Sequence, residues 1–151
     1  MPRRNILVAA FAVIAGLVAS VLARLMAPAA AAAADNPKVV YHLCDLDKVS
    51  FVLGNIQNHY DGMGGANRVT IALVVHGPAL RAFHADHAGP DVAQRMRGFA
   101  KDGLEFNACG NTMRAQNVTL KDLLPGFINA ERGGVVRIAE LQAQGYAYLR
   151  P

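Results

Sequence analysis

The run Val69-Thr70-Ile71-Ala72-Leu73-Val74-Val75 carries a single polar side chain and is closed by His76-Gly77-Pro78. A strand with one wet face alternates apolar and polar residues. An almost unbroken β-branched and aliphatic run belongs instead to a central strand covered on both faces, as in parallel sheets with helices above and below. The flanking segments fit that demand. Val39-Val40-Tyr41-His42-Leu43 reads as a first strand, and Leu104 to Ala108 as a third. Phe127-Ile128-Asn129 gives a short fourth strand and Tyr146 to Leu149 a terminal one. Between them the period changes. Val49, Val52, Leu53, Ile56 and Tyr60 recur at the spacing of one helix face, which predicts a helix over 46–60, capped by Asp45 or Asp47 and stopped at Asp61-Gly62 and Gly64-Gly65. Residues 79–102 read as mainly helical, broken at Gly89-Pro90 and recapped at Asp91. Short helical turns follow over 111–115 and from Thr119 to Pro125-Gly126. After Gly133-Gly134 comes a helix with Val135, Ile138, Ala139 and Leu141 facing inward. Strands alternating with helices define an α/β fold with a five-stranded, mostly parallel sheet.

The first 34 residues read as a targeting segment. Arg3 and Arg4 precede an apolar run from Ile6 to Ala23, then Arg24 and the tract Ala29 to Ala34 offer small residues to a signal peptidase. At 18 residues the run exceeds the roughly 7–15 of an ordinary signal core and approaches the roughly 20 that span a bilayer. It is therefore a cleaved signal peptide or a retained inner-membrane anchor. Either places the domain over 38–151 outside the cytoplasm, in the periplasm, with membrane contact only through an uncleaved leader. The chain has 15 basic and 11 acidic side chains. Without Arg3, Arg4 and Arg24 the balance is 12 against 11, a net of +1. The remaining Lys and Arg are scattered, so nucleic acid is not an expected partner. One domain is expected.

Because parallel strands open their carboxyl ends on one edge, that edge is where such sheets bind ligands. His42 to Cys44, His76-Gly77 and Cys109-Gly110 all fall there. Cys109 stands at a strand-to-helix junction, where unpaired N–H groups favour a thiolate. Gly110 permits close backbone approach, Asn111 or Thr112 can cap the helix, and Arg114 lies within about one turn. The bland reading is a small buried filler. Cys44 is a strand-end residue or, should strands one and three be neighbours, a disulfide partner for Cys109. His42 and His76 either orient a ligand or thiolate, or are core histidines bonded to backbone. His84 and His87 would share a helix face, but a structural zinc site wants four ligands and both cysteines lie elsewhere. Neither a metal nor any other cofactor is expected. Asn55, Asn58 and His59 form a polar stripe, usually solvated and less often a subunit contact. Phosphate loops, paired carboxylates, nucleophile elbows and haem attachment motifs are missing from the sequence.

Several segments together resemble the DsrE/DsrF-like family, which includes sulfur-relay subunits of the Tus type. They are His42, Leu53-Gly54-Asn55-Ile56-Gln57-Asn58-His59, Val74-Val75-His76-Gly77-Pro78-Ala79-Leu80, Phe106 to Thr112, Leu123-Leu124-Pro125-Gly126, and Leu141-Gln142 through Pro151. The resemblance spans about Val39 to Pro151 and implies a flavodoxin-like three-layer sandwich that forms oligomers, commonly trimers or hexamers. It implies a sulfane-sulfur carrier holding a persulfide on Cys109. From their place at the sheet's carboxyl edge, rather than from the resemblance, His42, Cys44, His76, Gly77, Gly110, Asn111, Thr112 and Arg114 are expected to surround or orient it, and the expected partners are a sulfane-sulfur donor and a thiol acceptor. The likeness is to the exported branch more than to cytoplasmic relay subunits. An oxidising compartment traps thiolates as disulfides, so the cytoplasmic relay does not transfer unchanged.

The sequence thus points to a possible sulfurtransferase. The rival is a non-catalytic homo-oligomeric module whose strand-edge crevice binds a small ligand or a partner. A third reading, a metal carrier, rests on His84 and His87 alone.

Overall fold

A computed structural model describes residues 36–151. The leader-like segment lies outside the described residues, and among these no helix is long and apolar enough to cross a membrane. Five strands form one sheet: β1 (Lys38–Leu43), β2 (Thr70–Val75), β3 (Glu105–Cys109), β4 (Phe127–Ala130) and β5 (Ala147–Leu149). Their order is β4-β3-β2-β1-β5. All four pairings are parallel. The helices are α1 (Val49–Met63), α2 (Pro90–Lys101), α3 (Gly110–Ala115) and α4 (Gly134–Ala143).

Side-chain alternation divides the core into two layers. Val39, Tyr41, Leu43, Ile71, Leu73, Val75, Phe106 and Ala108 point to the face covered by α1 and α2, where Leu53, Ile56, Met96 and Phe99 meet them. Val40, Ala72 and Val74 point the other way, into a smaller cluster with Ile138 and Leu141 of α4. Five of the six residues of β2 are fully covered, as its sequence requires of a central strand. The edge strands β4 and β5 are short, which limits the unpaired backbone they present to other chains.

Several boundaries differ from the sequence reading for identifiable reasons. Neither Asp45 nor Asp47 caps α1 with its side chain. A 3₁₀ turn, Leu46–Lys48, feeds the helix instead, and the Asp45 carboxylate pairs with Arg150 at 3.3 Å. The helix runs past Asp61-Gly62 to Met63 and stops where Gly64 takes a left-handed φ of 85°. The segment 79–88 is not α-helical. Gly77–Phe83 is a 3₁₀ turn, and His84 forms an antiparallel bridge with Leu123. Helix α2 begins after Gly89 with Pro90 in its first turn. Asp91 does not cap it but pairs with Arg95 one turn on. In α4, Gly134, Ile138 and Leu141 are buried, whereas Val135 is 68% exposed and Ala139, also expected inward, faces solvent. Turning the helix this way lays the glycine, not the valine, against the sheet.

The placement of β2 between β1 and β3 also removes the condition for a Cys44–Cys109 disulfide. Two strand spacings, roughly 9.6 Å, separate those strands, and both cysteines are free. Burial in the core against exposure on α4 predicts unequal sensitivities. Leu53→Ala, at a position with no exposure, should lose about 2–5 kcal/mol in urea unfolding. Val135→Ala should stay within about 0.5 kcal/mol; equal losses would contradict the assigned face of α4.

Candidate functional site

The same alternation gathers the candidate residues. His42 follows Val40 two residues on along β1, His76 follows Val74, and Cys109 follows Asn107, so all lie on the α4 side of the sheet. An ideal Cβ on Gly134 would lie 3.3 Å from the Cβ atoms of both Cys109 and His76 and from Val74 Cγ1. A side chain there would force these neighbours back by a few tenths of an ångström, so the glycine lets the first turn of α4 pack this closely.

Cys109 is 5% exposed, and burial pushes its thiol up. Hydrogen bonds outweigh that effect: the Thr112 hydroxyl and the backbone N–H groups of Thr112, Gly134 and Asn111 bring the thiol below its ordinary value. Thr112 is positioned for the task. Its Oγ1 accepts the Gly77 N–H at 2.9 Å, which leaves its own proton to turn toward sulfur. The Gly77 carbonyl in turn accepts from Gln116 at 2.9 Å. Gly110 allows the close backbone approach its position suggested, since a Cβ there would meet the Glu131 carbonyl at 3.0 Å. Arg114 is not among the groups that lower the thiol. The exposed Arg114 guanidinium donates to Asn111 Oδ1.

A second group forms at the ends of β1 and β2. The rings of His42 and His76 stack with centroids 4.7 Å apart, and their Nε2 atoms are in hydrogen-bond contact. His42 Nδ1 meets the Tyr148 hydroxyl at 2.7 Å. Cys44 joins them, and the ligand atoms of His42, Cys44 and His76 lie within 4.8 Å of one another, which makes these the residues able to hold a metal. Arg150 donates to Cys44 Sγ at 3.1 Å. Burial, then the charges of His76 and Arg150, hold His42 down to about 4 despite Asp45. His76 is lowered by burial and Arg150. Burial and the Asp45 hydrogen bond push the Cys44 thiol up.

The structure separates the remaining histidines from this group. His84 Nε2 is engaged by Gln116 Oε1 at 2.9 Å, and a turn rather than a helix brings the His84 and His87 rings to 6.5 Å between centroids. His59 meets the Tyr41 hydroxyl at 2.9 Å. Sequence reasoning missed Tyr148, Arg150, Gly134 and a buried polar network. Tyr148 was legible only once β5 was paired to β1, where it stands opposite Val40. In the network, Arg137 of α4 donates to Asn107 at 3.0 Å and to Glu105 at 2.8 Å. That accounts for Asn107, the one fully buried polar side chain among the described residues.

The connection leaving β3 packs Met113 against the α1–α2 side, whereas α4, leaving β4, covers the other. Neighbouring strands whose connections part in this way open a crevice at their carboxyl ends. A cleft of about 470 Å³ lies there, lined by Asn107, Asn129, Glu131, Arg132 and Arg137. Cys109 pairs with Ala130 at its edge, although its own side chain does not line the cleft.

A parallel α/β domain with one stabilised thiol at the carboxyl edge of its sheet is the class of protein these features define. A model of the DsrE/DsrF-like family matches residues 18–151, and the chain belongs to that family. The fold is similar to that of MTH1491 from Methanobacterium thermoautotrophicum, a protein of unknown function, at 27% identity and a TM-score of 0.67, covering 77% of this chain and 100% of that one. It is also similar to the ychN protein from E. coli, at 10% identity and a TM-score of 0.54, covering 76% and 99%. No protein of curated function matches.

Two titrations check the electrostatics. The rate of alkylation at Cys109 should reach its midpoint at lower pH than that at Cys44, with the reverse order refuting the donor set around Cys109. His42 and His76 stay neutral in the folded metal-free protein where the unfolded chain takes up protons. Stability should therefore fall as pH drops from about 6.5 towards about 4. The check is the urea midpoint, compared with that of a His42→Gln protein, in which the fall should be smaller.

Proposed function

We propose that Cys109 carries sulfane sulfur as a persulfide, in a domain acting in the periplasm. The observation that carries the reading is the convergence of the Thr112 hydroxyl with N–H groups from Thr112, Asn111 and Gly134 on one sulfur atom. Those donors favour the thiolate over the thiol and so supply the nucleophile that loading needs, and the leaving group that unloading needs. Loading is a displacement. The Cys109 thiolate attacks a sulfur of a polysulfide, a new S–S bond forms, and the old one breaks with its electron pair leaving on the shortened polysulfide. With thiosulfate the leaving group is sulfite. Unloading reverses the roles: an acceptor thiolate attacks the outer sulfur and Cys109 departs as thiolate. No net oxidant is needed, because the sulfane sulfur arrives already at the required oxidation level. Membership of a family that includes sulfur-relay proteins supports the reading, and the leader-like residues 1–34 support the compartment.

One observation favours the rival. At 5% exposure the Cys109 side chain must be uncovered before a donor reaches it, whereas a non-catalytic, homo-oligomeric binding module needs no such access. Incubation with polysulfide followed by mass measurement without reductant separates the two. The relay reading expects one added sulfur per chain, removed by a thiol acceptor and lost in Cys109→Ser. A Cys109→Ser protein that still acquires labile sulfur ends the proposal, as does a wild-type protein that acquires none. The same spectrum, taken under native conditions, reports whether the chain assembles with copies of itself.

A further inference from the structure

We propose that His42, Cys44 and His76 form a binding site for one thiophilic d¹⁰ metal ion, Zn(II) or Cu(I). Two imidazole nitrogens and one thiolate are the donor set such ions select over hard cations. An ion bonded at about 2.0–2.1 Å to nitrogen and about 2.3 Å to sulfur separates its ligand atoms by roughly 3.3–3.8 Å. The three ligand atoms already lie within 4.8 Å of one another.

The placement is set by backbone rather than by loop conformation. Parallel register pairs His42 with Val74 and Leu43 with Val75, and the His76 N–H continues the ladder to the Leu43 carbonyl at 3.0 Å. One more step sets Cys44 opposite His76. His42 and Cys44, two residues apart, point the same way. All three are partly covered, neither sealed from an ion nor fully solvated. The outer surroundings fit as well. For its Nε2 to ligate, His42 must carry its proton on Nδ1, and the Tyr148 hydroxyl stands 2.7 Å away to accept it. Arg150 donates to the Cys44 sulfur at 3.1 Å, a hydrogen bond a bound thiolate keeps lone pairs free to accept. Its charge is matched by Asp45 at 3.3 Å. Binding replaces the thiol proton with the ion and releases it to solvent. The pair His84 and His87 has no comparable third ligand among the described residues.

This site shares no ligand with the persulfide reading, and neither requires the other. The test uses the full chain, reduced with a phosphine under argon. Co(II) serves as the spectroscopic probe, followed by Zn(II) and by Cu(I) against a chromogenic chelator. One Co(II) per chain should give a thiolate-to-cobalt charge-transfer band that disappears in Cys44→Ser and in His76→Gln but persists in Cys109→Ser. His42→Gln provides the second imidazole variant should His76→Gln fail to fold. Tyr148→Phe should weaken binding by about tenfold while leaving the band in place. Retention of one Zn(II) or one Cu(I) through gel filtration identifies the ion. Retention of neither overturns the site, and so does a cobalt band that is absent, survives Cys44→Ser, or vanishes with Cys109.

Discussion

The side-chain alternation of three parallel strands in fixed register is the constraint on which the rest of this structure depends. It sends Leu43, Val75 and Ala108 into the larger core beneath α1 and α2. By the same step it sends His42, His76 and Cys109 to the opposite face. A slip of one residue in any strand would exchange the two sets, burying imidazoles among aliphatic side chains and exposing leucine and valine. The large apolar layer therefore fixes which side of the sheet carries the chemistry.

The two cysteines illustrate how closely related positions acquire opposite character. Each stands at or just beyond a strand's carboxyl end. Cys109 runs into α3 and meets hydrogen-bond donors from two helices, so its anion is solvated by protein. Cys44 enters a short 3₁₀ turn, where burial and then the neighbouring Asp45 carboxylate push its thiol up. One sulfur is suited to nucleophilic displacement. The other keeps its proton until something cationic displaces it. The intervening strand β2 holds them apart, and both remain free thiols.

Much of this was readable from the residues alone. Five strands, their approximate limits and the common edge carrying His42, His76 and Cys109 follow from periodicity and from glycine and proline positions. What was not readable depended on pairing between distant segments. Strand order decided that Cys44 and Cys109 are not neighbours, and it brought Tyr148 and Arg150 to the ends of β1. Local spacing also misassigned 79–88, where apolar residues at helical intervals fold as a 3₁₀ turn and a bridge because the Phe83 carbonyl and the Ala85 N–H bond across to Leu124 and Asp122. Hydrophobicity alone turns Val135 inward, whereas the tight approach at Gly134 governs how α4 is turned. Sequence proximity puts the Arg114 charge near the sulfur, yet its guanidinium donates to Asn111.

The close approach of Gly134 has a mechanical corollary. Its α-carbon forms a common wall for Cys109 and His76, and its amide is one of the donors at the sulfur. Lifting the first turn of α4 by a fraction of an ångström would weaken that hydrogen bond and loosen the imidazole's seat in a single movement. The thiol and the histidine pair are thus mounted on one hinge.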